Sequence, residues 1–166
     1  MVTGHKKFIK WGIGMKLAEA LIIRADIQKR IEQLKIRIMR SAKIQEGEEP
    51  PEDPNELICE LDKLYSDLTR IVQCINRTNA SVEFSPGRTI ADALAERDMI
   101  SGKRNALECI LEAAAIRQER YSKSEVKFIS TVNIKEIQKT IDQLSREYRE
   151  LDAKIQEKNW TVDLME

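Results

Sequence analysis

The chain has 166 residues, with 28 basic and 28 acidic side chains, 34% charged residues, 5% aromatics, six glycines and four prolines. These numbers exclude a collagen-like chain, a turn-rich β-sandwich and a disulfide scaffold, and a net charge of zero supplies no global field for nucleic acid or an anionic membrane. Long helices remain.

Residues 1–14 carry three lysines and short apolar pieces, and Gly12 and Gly14 close off any helix. They lack the continuous apolar stretch of a signal peptide, and no run in the chain reaches the ~18 apolar residues of a membrane span. They read as an unstructured arm or an extension ahead of a start at Met15, and residues 15–166 read as one helical domain. Three cysteines, Cys59, Cys74 and Cys109, form an odd set without a CxxC pair. They are expected to be reduced structural thiols in the cytoplasm, with Cys59 and Cys109 packed as small hydrophobes.

The first predicted helix, about residues 16–44, has a seam at Leu17, Ala20, Arg24, Ile27, Ile31, Leu34 and Ile38, in steps of three and four. Gly47 and the Pro50-Pro51 pair end it. Asn55 is the expected cap of the second helix, residues 56–79, whose seam is Leu57, Leu61, Leu64, Leu68, Ile71 and Ile75. Residues 81–84 alternate like a brief strand, followed by a turn at Ser85-Pro86-Gly87.

Thr89 caps the third predicted helix, residues 90–118, with a seam at Ile90, Ala93, Arg97, Ile100, Arg104, Leu107, Leu111 and Ala114. Residues 125–129 alternate again; the two alternating segments could pair if the third helix bends sharply, or if residues 82–84 of one chain meet residues 126–129 of another in an antiparallel dimer. The fourth helix, residues 134–158, is capped by Asn133 and runs through Ile134, Ile137, Ile141, Leu144, Tyr148, Leu151 and Ile155. The expected fold is all-α: an antiparallel four-helix bundle of coiled-coil-like helices, with one or two very short strands in the connections.

Arg24, Arg97 and Arg104 stand where apolar residues belong. Unpaired charges are costly to bury, so either they snorkel outward or they form a buried network with acids such as Asp26, Glu96 or Asp98. A pocket for an anionic ligand is the third reading. The neutral total also hides segregation. Residues 1–43 hold 11 basic and three acidic side chains, whereas residues 44–62 hold eight acids and no base. An up-down topology sets that acidic loop beside the connection bearing Arg117, Arg120, Tyr121 and Lys123. It gathers Asn76, Arg77, Asn79 and Arg88 at the other end as a candidate recognition surface.

Catalytic signatures are missing. The single histidine is His5, outside the predicted fold, and the phosphate-loop, dinucleotide, HExxH and EF-hand patterns do not occur. No enzyme, cofactor or metal is expected. The expected role is a self-associating scaffold or protein-interaction module. A nucleic-acid binder using the basic first helix and a membrane-active protein are the alternatives.

Residues 15–21 (MKLAEAL), the loop 45–54, Ile75-Asn76-Arg77-Thr78-Asn79, Gly87-Arg88-Thr89 with residues 93–98 (ALAERD), residues 120–125 (RYSKSE) and Asn159-Trp160 together resemble small bacterial proteins named septicolysin. The resemblance spans about residues 15–160. It implies a helical protein with no catalytic residue to carry over, and its name implies a cytolysin.

Overall fold

The computed structural model describes residues 14–115 and 129–166. The fold is all-α, with four helices and one very small sheet: α1 (Leu17–Ser41), α2 (Pro54–Ser81), β1 (Glu83–Ser85), β2 (Arg88–Thr89), α3 (Ile90–Ala114) and α4 (Ile134–Thr161). The chain divides into two compact units. One holds the residues up to Val82 together with Lys158–Glu166; the other is Glu83–Glu157, so α4 contributes residues to both.

In the first unit, α1 and α2 pack along their lengths as an antiparallel hairpin. The seam residues that make this contact are those the periodicity selects. Leu17, Ala20, Ile27, Ile31 and Leu34 are buried on α1, and Leu57, Leu64, Ile71 and Ile75 on α2. Each fully buried Leu or Ile contributes about 1.5–3 kcal/mol of transfer free energy.

Helix α2 begins two residues earlier than expected. Pro54 occupies the first helical position, where a fixed φ and a missing N–H cost nothing, so Asp53 rather than Asn55 is the cap. Its carboxylate accepts the Asn55 backbone N–H at 2.8 Å. At this end Arg37 donates to Glu52 through Nε at 3.0 Å and through Nη2, tying the interhelix loop back onto α1. The hydrogen bonds from Arg37 hold the Glu52 carboxyl below its ordinary range.

The other end of the hairpin is sealed by residues 162–165. The Leu17 N–H donates to the Val162 carbonyl at 2.9 Å, and the Leu164 N–H donates to the Met15 carbonyl at 2.8 Å. Lys16 Nζ donates to Asp163 at 2.7 Å and to the Thr161 carbonyl at 3.1 Å, while the Lys16 N–H donates to Glu19. Thr78 is fully buried; its hydroxyl donates to the Cys74 carbonyl and accepts the Met165 N–H at 2.9 Å. None of this closure was visible in the helical periodicity.

The second unit opens with a hairpin rather than a lone strand. β1 pairs antiparallel with β2, Glu83 opposite Thr89 and Ser85 opposite Arg88. Pro86 and Gly87 form the two-residue turn, and Gly87 takes the positive φ of 73° that a type II-like turn demands. The partner of β1 is therefore local, and it needs neither residues 125–129 nor a second chain. Residues 125–128 lie outside the described residues, and Ile129 is not in a strand. Thr89 then caps α3: its hydroxyl accepts the Asp92 N–H at 3.2 Å, and the Asp92 carboxylate accepts the Thr89 N–H at 2.8 Å. Asn133 caps α4 by accepting the Glu136 N–H at 3.3 Å.

Packing in this unit is thinner. On α3 only Ile90 and Ala93 are buried, while Ile100, Leu107, Leu111 and Ala114 are half-buried. On α4 the buried seam residues within this unit are Ile141, Leu144 and Ile155.

Candidate functional site

The seam arginines separate into three different environments. Arg97 on α3 joins the two helices of its unit. Its Nη1 donates to Asp152 of α4 at 3.1 Å, and its Nε and Nη2 donate to Asp98 at 3.2 and 3.0 Å. Desolvation works against its charge, but the hydrogen bonds to Asp98 and Asp152 outweigh it and raise the pKa. Two turns on, Arg104 lies over the Tyr148 ring, 5.7 Å from its centroid. Its Nη2 donates to Asn105 at 3.4 Å, and its Nε lies 3.5 Å from Glu108 without a hydrogen bond.

Arg24 belongs to the other unit, and its solvent-shielded Nε has no hydrogen-bond partner among the described residues. The three arginines are half-buried rather than buried, and on α3 the seam around Arg97 and Arg104 is itself only partly covered. One local network, Asp98–Arg97–Asp152, therefore replaces the expected larger one, and its second acid is a residue the seam pattern did not single out.

The candidate recognition residues also divide. Asn76 and Arg77 are exposed and Asn79 half-buried near the end of α2, in the first unit. Arg88 sits in β2, in the second unit, and its guanidinium pairs with Glu96 of α3. Arg117, Arg120, Tyr121 and Lys123 lie outside the described residues. The acidic interhelix loop has a basic partner in Arg37, and its expected contact with that segment lies outside the described residues. Cys59 and Cys109 are exposed rather than packed, and Cys74 is half-buried; all three are free thiols.

The feature that the seam reading missed lies on the opposite face of α3. Ala95, Met99, Gly102, Ala106, Ile110 and Ala113 follow one another at steps of four and three, so they form a second apolar stripe. All are exposed; Met99 is 70% and Ile110 44% accessible. A helix that is apolar on two faces is ordinarily an interior helix. The signal was present in the sequence, but one seam had already accounted for the helix.

Among the described residues no group of three or more His, Cys, Asp or Glu side chains stands close enough to hold a metal ion. No described helix is long and apolar enough to cross a membrane. An open groove beside Arg37 is lined mainly by carboxylates, Glu52, Asp53, Glu56 and Glu60, with Lys63 as its second cation.

Comparison with known proteins agrees with the fold and supplies no chemistry. The chain is similar to a functionally unknown conserved protein from Corynebacterium diphtheriae, with a TM-score of 0.86 and 42% identity, covering 92% of this chain and 100% of the other. No curated protein matches. Neither finding carries the name septicolysin. The model of a family of unknown function matches residues 24–164, and the chain accordingly belongs to that family, DUF6847.

Proposed function

We propose that this chain is a non-enzymatic, cytoplasmic interaction module that works by self-association. The observation that carries the reading is α3, a helix with a half-covered seam on one side and an exposed apolar stripe on the other. Apolar surface of that continuity is costly in water and is ordinarily covered by another protein surface. Three free thiols fit a reducing compartment.

Light scattering across a concentration series tests the reading. A dimer or higher assembly is expected, and a strict monomer at high concentration overturns it. Two further assays set it against its rivals. Release of dye from liposomes would favour the cytolysin that the likeness to septicolysin suggests. Retention on DNA or RNA that falls steeply with salt would favour a nucleic-acid binder. Neither effect is expected.

A further inference from the structure

We propose that two copies of this chain meet antiparallel along the outer stripe of α3, with Met99 of each copy seated over Gly102 of the other. The proposal rests on the self-association reading and adds the face, the direction and the contacts.

Gly102 is the starting point. It lies inside α3, where glycine is a poorer helix former than alanine. Its φ is not positive, and a Cβ added there would meet nothing within 4 Å. Within the single chain, then, neither backbone conformation nor crowding calls for glycine. What it provides is a hollow on the outer stripe, one helical turn before Ala106. Beside the hollow stands Met99, the most exposed large hydrophobic residue of α3.

A two-fold axis passing between residues 100 and 101 makes this stripe complementary to itself. Met99 then stands opposite the second copy's Gly102, and Ala95 opposite the second copy's Ala106, so a larger group faces a smaller one at the centre. The polar edges agree. Glu96 and Lys103 flank the same side of the stripe, and this operation brings Glu96, whose carboxylate also holds Arg88 of its own chain, within reach of the second copy's Lys103. Lys103 makes no ion pair among the described residues of the single chain. On the opposite edge Asp98 meets the second copy's Asn105, whose amide is a donor. A parallel pair would instead set Met99 against Met99, bulk on bulk, and leave each Gly102 hollow facing the other's hollow.

The variant Gly102→Leu separates the two roles of this position. The added side chain enters open space in the single chain and raises helix propensity, so thermal stability at low protein concentration should hold or rise. Dimerisation should weaken about tenfold or more, because Met99 loses its seat. An undiminished dimer overturns the proposal. Lys103→Glu should also dissociate the pair, and adding Glu96→Lys should restore it; a dimer indifferent to both does not fit this geometry.

Direction is read by cross-linking with a short bis-maleimide in a Cys59→Ser, Cys74→Ser background. The antiparallel pair holds the two native Cys109 thiols far apart, so no covalent dimer should form until Met99→Cys is added. A Cys109 cross-link signals a parallel pair and overturns the proposal. If the unmodified chain is monomeric throughout, the self-association reading falls with it; if it dimerises but Gly102→Leu and Met99→Cys have no effect, only this geometry falls.

Discussion

The α1–α2 hairpin and the α3–α4 region start from the same sequence device, a leucine-isoleucine stripe at three-four spacing, and finish it to different degrees. In the hairpin most seam residues are excluded from water, with Arg24, Ile38, Leu61 and Leu68 half-buried, and both ends are tied off by side chains or backbone hydrogen bonds. In the second unit the described contacts between α3 and α4 are made by long polar side chains, Arg97 with Asp152 and Arg104 over Tyr148, while most of the α3 seam stays half-covered. A regular apolar pattern therefore specifies which face a helix buries, but the amount buried depends on how closely a neighbour can approach. Arginine at two of the central seam positions keeps a neighbour at the length of a guanidinium arm.

This contrast is testable by truncation. Ile71→Ala, at a fully buried position of α2, should cost about 2–5 kcal/mol in denaturant unfolding. Leu107→Ala, its counterpart on the half-covered α3 seam, should cost roughly half as much or less, since less area leaves water. Equal losses would erase the distinction between the regions. Thr78→Val should cost about 1 kcal/mol by removing the acceptor of the part-buried Met165 N–H, and hydrogen exchange at Met165 should accelerate with it. Thr89→Ala removes the α3 cap and should cost about 1 kcal/mol, with fraying confined to the first turn of that helix.

The smallest expected effect is a pH dependence. The Thr89 backbone N–H, then its hydroxyl, stabilise the Asp92 carboxylate and lower its pKa. A lowered folded-state pKa adds stability that is complete above the unfolded carboxylate value of about 4 and disappears as pH falls through the folded value. Acid unfolding curves of the native chain should therefore slope in that window. Asp92→Asn should flatten the slope slightly; an unchanged slope would remove Asp92 from the account.

The seams of α1, α2 and α4, apart from Ile134, which is exposed at the start of α4, were legible because each apolar position repeats a strict geometric interval, and Leu57, Leu64, Ile71 and Ile75 need no other information. Caps were legible where one residue supplies the acceptor, as at Thr89 and Asn133. At the start of α2 two acceptors competed, and Pro54 moved the boundary to Asp53. The β1–β2 pairing escaped because two residues are too few to show alternation, although the Pro86-Gly87 turn that creates it was plain. The candidate site was harder to see. Asp152 answers Arg97 across 55 positions of sequence, a distance that no local spacing encodes. The outer stripe of α3 did follow a local spacing, yet apart from Met99 and Ile110 it is built from alanines and one glycine, which composition-based patterns weigh as neutral.

The seal at the open end of the hairpin bears on the order of events during synthesis. Leu17 and Thr78 wait for hydrogen-bond partners at Val162 and Met165, 87 residues beyond Thr78 in the case of the hydroxyl. While the ribosome is still making α3 and α4, the nascent α1–α2 pair has its local contacts but stays unlatched at one mouth. Helix pairs of low contact order collapse early, and closures across long sequence separations come last. The nascent chain thus exposes the Leu17 and Thr78 end to chaperones and proteases until residues 162–165 emerge from the exit tunnel, and that interval sets how long this domain can be intercepted before it becomes native.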